Sequence, residues 1–288
     1  MPSIQANRAL WLATAVSFLW LYAPVVARLV DDWVHDDNYS HGFLIIPLAL
    51  YFAWERRGNL AGKPLRPAFA GVCIVLFGLV MLVGGELGAE LSLGRLSLVV
   101  TLAGILVFLA GWRGLGVFGF PVAFLLLMMP IPAIVFNQIA FPLQLLASRV
   151  GETTLSAFSI PVLREGNVIV MANMTLEVAE ACSGIRSLMS LMTLGIVYGY
   201  FTDSRLSVRG LIALSTIPIA VVTNGARVAG TGLAAHYFGV QAAEGFFHAF
   251  SGWLVFVAAF AILLVVGAAL RRLMPPPVGP LAPALERA

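Results

Sequence analysis

Charge is what this sequence has least of. Asp, Glu, Lys and Arg make up 11% of its 288 residues, against about 25% in water-soluble domains, which excludes an ordinary soluble globule. Apolar residues fill the space, at 60% of the chain, and the mean hydropathy is +0.95. Cysteine is nearly absent. Cys73 and Cys182 are the only two, so there is no disulfide framework to staple a small fold. One outer thiol among the dispersed His35, His41, His236 and His248 does not have zinc-ligand spacing, so neither metal nor cofactor is expected. The excess of 17 basic over 14 acidic residues is spread along the chain and leaves no nucleic-acid footprint. Internal repeats of useful length and a separate soluble domain are lacking too.

What is present is a series of apolar runs long enough for a hydrocarbon core of about 30 Å. Without water partners there, the backbone must be helical wherever it meets lipid. The fold class is therefore an all-α polytopic membrane protein with about eight transmembrane helices. They are expected at about 9–30, 41–54, 69–88, 95–112, 115–131, 184–201, 210–230 and 249–270. The second run is short, which suits a tilted, extended or re-entrant segment. The first ends in the small residues of "APVVA", as a signal peptide does, but its length and the spans that follow favour a retained helix. Residues 1–274 read as one membrane domain and 275–288 as a Pro-rich disordered tail.

Basic residues set the orientation. With the N-terminus cytoplasmic, eleven of the 17 fall inside, and only Arg28, Arg95, Arg149, Arg164, Arg186 and Arg227 lie outside or near outer helix ends. Eight spans with both termini inside satisfy the positive-inside rule. All four histidines, Cys182 and the stretch at about 132–183 then face outward. Within that stretch "FPLQLLASRVGETTLSAF" suits an interfacial helix. Beyond it, Leu176 and Val178 alternate with Thr175, Glu177 and Ala179, and Gly166–Asn167 and Asn173 supply turns. The pattern predicts a small β-hairpin or meander leading into the sixth span.

Cys182 stands at the start of that span, where unsatisfied N–H groups and the helix dipole favour a thiolate. Arg186 lies one turn deeper on the same face and suits either that thiolate or a substrate carboxylate. Cys73 belongs to the opposite half of the bilayer, too far for a disulfide. A packed small residue is the plainer reading of Cys182. Arg227 sits near the outer end of the seventh span. An arginine costs roughly 2.5–3.5 kcal/mol at mid-helix, so it has either a function or a snorkelling route to the interface. His248 opens the eighth span four residues after Glu244, as a proton-transfer group or as an interfacial partner of that carboxylate. A nucleophile, a proton-transfer group and a positive charge for the oxyanion are what thiolate attack on a carbonyl needs. Other classes fit less well. A serine protease through Ser183 and His248 leaves Arg227 idle, a lipid-phosphate enzyme leaves the thiol idle, and a transporter or scaffold for exopolysaccharide export favours polar groups at the midplane.

Four stretches, "DDNYSHGF" (36–43), "EACSGIRS" (180–187), "TNGARV" (223–228) and "EGFFHAFSGW" (244–253), make the sequence resemble the exosortases of the exosortase/archaeosortase group. The resemblance implies a multi-spanning bacterial inner-membrane cysteine transpeptidase with its active site on the periplasmic side. Its partners would be secreted proteins with a C-terminal PEP-CTERM signal, the lipid bilayer, and an exopolysaccharide or other acceptor. The family's catalytic Cys, Arg and His map onto Cys182, Arg227 and His248, with an acyl-thioester on Cys182. Arg186, Glu180 and Asn224 are supporting candidates, the last two also suited to helix capping. Asp37, Tyr39, Ser40 and His41 are candidates for shaping or binding substrate, with interfacial anchoring by Tyr39 and Trp33 the alternative.

Overall fold

The structure is a computed structural model that describes residues 4–60, 65–172, 174–178, 185–239, 241 and 246–275, with the backbone alone for 4–11 and 246–249. Cys182 and Glu180, and the tail beyond 275, lie outside the described residues. The chain forms two compact units, Met1–Phe136 and Asn137–Ala288. Among the described residues there are eight α-helices: α1 Ile4–His35, α2 Gly42–Arg56, α3 Ala70–Leu87, α4 Leu91–Phe124, α5 Ala133–Ala157, α6 Ile185–Thr202, α7 Leu206–Phe238 and α8 Phe246–Leu273. Three short strands, β1 Val162–Glu165, β2 Val168–Met171 and β3 Thr175–Glu177, separate α5 from α6.

Six helical segments among the described residues are long and apolar enough to span a bilayer: Leu12–His35, Ala70–Leu87, Leu91–Met128, Ala133–Ala157, Leu206–Phe238 and Phe250–Leu273. The count of eight is therefore not reproduced, for three reasons. Helix α2 has 15 residues and rises only about 22 Å, while α6 is diluted by Arg186, Ser187, Ser190 and Thr193. The fourth and fifth expected spans are joined with no loop, because the chain departs from helix at Gly111 alone (φ 73°, ψ −175°). A Cβ at Gly111 would lie 2.1 Å from the Arg66 carbonyl oxygen, so glycine is required on both dihedral and steric grounds. Finally, the segment expected at the interface starts earlier, at Ala133, and the added apolar turns make α5 a candidate span.

In the first unit, α3 and α4 run antiparallel along a seam of glycines. Gly71, Gly78 and Gly85 recur every seven residues and meet Phe108, Thr101 and Gly94 in turn. Each step down α3 is the same step up α4, so a straight heptad seam results, and small residues let the backbones approach closely. Polar groups lock α1 onto this pair. The Tyr22 hydroxyl is buried between Ser97 Oγ (3.1 Å) and Thr101 Oγ1 (2.7 Å). Arg95 pairs with Asp32 at 2.5 Å, and Arg28 grips both oxygens of Glu86.

In the second unit, α5 presents Ala140, Gln144, Ala147, Ser148, Gly151 and Leu155 as one buried stripe. Its polar members hold the hairpin turn: Ser148 Oγ donates to the Gly166 carbonyl at 2.9 Å, and Asn167 Nδ2 donates to Gln144 Oε1. The strands form an antiparallel meander, β1-β2-β3, as the alternation predicts. Gly166 takes φ 64° at the first of two loop residues, where glycine avoids the Cβ penalty. Ile169, Met171 and Val178 turn inward against Leu155 of α5 and Val228 and Ala235 of α7. Helices α6, α7 and α8 share a second core around Leu191, Ile212, Ala259 and Leu263.

Candidate active site

Arg227 is the described residue from which the site can be built. It sits on α7, half-buried, one turn beyond the buried Asn224. Its guanidinium lies beside Gly252 of α8: a Cβ built there would be 3.5 Å from Arg227 Cζ, ordinary contact distance. Together with Val228 and Thr231, Arg227 also walls a narrow crevice whose other side is Leu176, Glu177 and Val178. Thr231 Oγ1 donates to the Arg227 carbonyl at 3.0 Å.

Helix register gives the height of this point. At the far end, the α6–α7 turn is clasped by arginines. Arg205 pairs with Asp203 at 2.7 Å and donates to the Met274 carbonyl, and Arg209 donates to the Asp203 and Tyr200 carbonyls. This pairing holds the Asp203 carboxyl down at about 2. From Arg205 to Arg227 on α7 is 22 residues, and so is Gly252 to Met274 on α8. The two helices thus run antiparallel in register for about 33 Å at 1.5 Å per residue, which matches the thickness of a hydrocarbon core.

Helix α6 keeps the same step, with Gly199 against Arg209 and Gly195 against Ala213. By that register Ile185, its first residue, is level with Thr223, and Arg227 stands one turn beyond it. His248 precedes Gly252 by four residues, so its backbone occupies the same face of α8 one turn on. Its side chain is outside the described residues. The packing of α6, α7 and α8 therefore brings Arg227, the Gly252 face of α8 and the start of α6 to one end of one bundle. Arg186, in the first turn of α6, is exposed.

The expected shaping residues belong to the first unit. Ser40 and Asp37 are exposed, and Ser40 Oγ donates to the Asp37 carbonyl at 3.2 Å. Tyr39 and His41 turn inward instead. Tyr39 is buried and its hydroxyl accepts from the Ile131 amide at 3.0 Å. His41 Nε2 donates to the Leu127 carbonyl at 3.1 Å, and Trp33 Nε1 donates to that of Met128 at 2.9 Å. Three side chains of the α1–α2 region thus serve backbone groups of the 3-10 turn Leu125–Met128 that ends α4 and of Ile131 just beyond it, where the α-helical hydrogen-bond ladder stops. Gly42 makes room, since a Cβ there would meet the Trp33 indole at 2.3 Å. These bonds give Tyr39 and His41 a structural part in holding this turn.

Burial pushes the Tyr39 hydroxyl above its ordinary value and the His41 imidazole below 6.5. The native state therefore binds the His41 proton less readily than the unfolded chain. The contribution of His41 to stability is full above about pH 6.5 and declines as pH falls through the native value. The apparent melting temperature in detergent is expected to fall between about pH 7.5 and pH 5, and less so in His41→Gln, which keeps a donor but cannot titrate. An equal fall in both proteins would remove His41 as the cause.

Gly252 and the edge strand β3 were not legible as site elements. Gly252 stands inside the quoted stretch "EGFFHAFSGW", but only the packed helices show which side chain lies against it. Compared with known families, residues 33–265 match the model described as transmembrane exosortase, an interval that takes in every candidate residue above. Neither a curated protein nor a solved structure matches the chain.

Proposed function

Because this chain belongs to the transmembrane exosortase family, we propose that it is a membrane-embedded cysteine peptidase or transpeptidase. It removes C-terminal PEP-CTERM sorting signals from exported proteins at the outer face of the bacterial inner membrane, with both termini cytoplasmic. Cys182 is the nucleophile. Its thiolate attacks the scissile carbonyl, the C–N bond breaks, and His248 as general acid delivers a proton to the leaving amine. The resulting thioester is resolved by water or by an acceptor such as an amine or an exopolysaccharide. Arg227, which does not give up its proton, stabilises the tetrahedral oxyanion. Asn224 and Glu180 orient these groups, and Arg186 meets an acidic side chain of the substrate.

The observation that carries this reading is the Arg227 guanidinium lying against Gly252, one helical turn from His248. Chain connectivity adds the third member. Cys182 lies three residues before Ile185, a reach of at most about 11 Å, and Ile185 is buried at the same end of the bundle. A substrate held by its own transmembrane segment would present the preceding extended stretch at this level.

The test is co-expression with a reporter bearing a Pro-Glu-Pro motif, an apolar segment and a basic tail. A reporter shortened by the mass of the tail is the expected product, and its new C-terminus identifies water or another acceptor. A reporter left intact at normal membrane levels of the enzyme removes the peptidase reading and favours a transporter or scaffold. Arg227→Lys is expected to slow release by about 10²-fold or more, since a compact ammonium does not reproduce a planar guanidinium. Release at the wild-type rate in Arg227→Lys would leave Arg227 without a part in the chemistry.

A further inference from the structure

The sheet beside Arg227 ends, among the described residues, in an edge strand. Its order is β1-β2-β3, so β1 and β3 are the edges, and among the described residues β3 pairs with β2 alone. The register identifies which groups of β3 point outward. Val178 N–H donates to the Asn167 carbonyl at 2.9 Å, and Met171 N–H donates to the Met174 carbonyl at 2.8 Å. Ile169 lies opposite Leu176. Hydrogen-bonded pairs recur at every second residue of an antiparallel ladder, so 174, 176 and 178 face β2. The N–H and C=O of Thr175 and Glu177 therefore face away from it, and both residues are exposed.

The two edges are not equivalent. Along β1, Arg164 is tied to Glu152 of α5 at 2.7 Å and to the Gly166 carbonyl at 2.9 Å. The C-terminal end of β3 instead borders the crevice walled by Arg227, Val228 and Thr231. The chain then continues from Val178 toward Cys182, four residues on. A row of outward N–H and C=O groups is a template for another strand, and strand addition at such an edge is a recurring way to bind extended peptide.

We infer that the outer edge of β3 is the substrate-binding strand: an extended segment of the polypeptide substrate adds there as a fourth strand, hydrogen-bonded to Thr175 and Glu177. This holds the segment next to Arg227, where the proposed function has the oxyanion form. The identity of the peptide rests on the proposed function; the edge geometry does not. A Pro-Glu-Pro segment fits such an edge in one way. With the central Glu offering its N–H and C=O to β3, both prolines face outward, where their missing N–H costs nothing.

The experiment measures binding without turnover. Full-length Cys182→Ala protein in detergent is titrated with a fluorescent peptide centred on Pro-Glu-Pro, N-methylated at one non-proline residue at a time. Strand addition is expected to give an alternating pattern. N-methylation of the Glu, or of residues two positions from it, weakens binding about tenfold, and at three positions from it has no effect. In the protein, Thr175→Pro and Glu177→Pro delete an outward donor while sparing the ladder to β2. Both are expected to weaken binding similarly at unchanged melting temperature, whereas Thr175→Val, which keeps its N–H, binds as before. Binding with no alternation, or no binding, overturns the inference. The two readings fail separately: alternating binding with an intact reporter would sink the peptidase reading alone, and a shortened reporter with no alternation would sink strand addition alone.

Discussion

With Cys182 replaced by alanine, the tail-bearing reporter is expected to remain at full length while the variant accumulates in the membrane as the wild type does. The mechanism has no substitute for the thiolate. In the proposed mechanism Arg227 and His248 act on charge and protons that develop only once a nucleophile has attacked. Loss of a nucleophile lowers turnover by on the order of 10⁴- to 10⁶-fold where it has been dissected, which on the timescale of a culture reads as no product. Cys182→Ser is informative beside it. A serine hydroxyl is far less ionised and less nucleophilic than a thiol near a helix N-terminus, so the reporter is expected to stay essentially uncleaved with the shape of the site kept. Release that persists in the alanine variant removes the acyl-thioester and, with it, the assignment of Cys182.

The second large effect concerns the fold. Gly71→Ala is expected to lower the apparent melting temperature by roughly 10 °C or to abolish accumulation. The added Cβ would lie 2.2 Å from the Phe108 backbone nitrogen and 2.5 Å from its Cα. Backbone cannot swing aside as a long side chain can, so α3 and α4 must separate and lose the packing that small residues permit. The neighbouring pair Gly84 and Gly85 provides the control. A Cβ at Gly84 meets nothing within 4 Å, whereas one at Gly85 comes within 2.7 Å of the Gly94 nitrogen. Gly84→Ala is therefore expected to be neutral or slightly stabilising, from helix propensity alone, and Gly85→Ala destabilising. Equal behaviour of these two adjacent substitutions would show that the seam does not govern stability.

The glycine seam also shows how legibility divides. A seven-residue recurrence at Gly71, Gly78 and Gly85 is visible in the letters, but spacing alone does not name the partner helix. The pairing with Gly94, Thr101 and Phe108 follows only once α3 and α4 fold back on each other. "DDNYSHGF" behaves likewise. Its tyrosine and histidine stand out in sequence, yet their partners at Ile131 and Leu127 are 92 and 86 residues away. The fourth and fifth spans were separated on hydropathy, which responds to composition and not to a single residue in a left-handed conformation such as Gly111.

By itself the sequence determined the class of molecule and its local elements: scarce charge and long apolar runs require membrane helices, and alternation after Leu155 requires the small sheet. It also placed His248 near a helix start, whereas Arg227, expected near the outer end of a span at 210–230, lies eleven residues before the end of α7 at Phe238. The tertiary structure decided what rests on non-local contact: how many segments qualify as spans, that Arg227 lies against Gly252, and that β3 is an edge with Thr175 and Glu177 facing out. The physical reason is range. Helix and strand periodicity are set by neighbours a few residues apart, whereas a site is set by packing between helices far apart in the chain, which no single segment encodes.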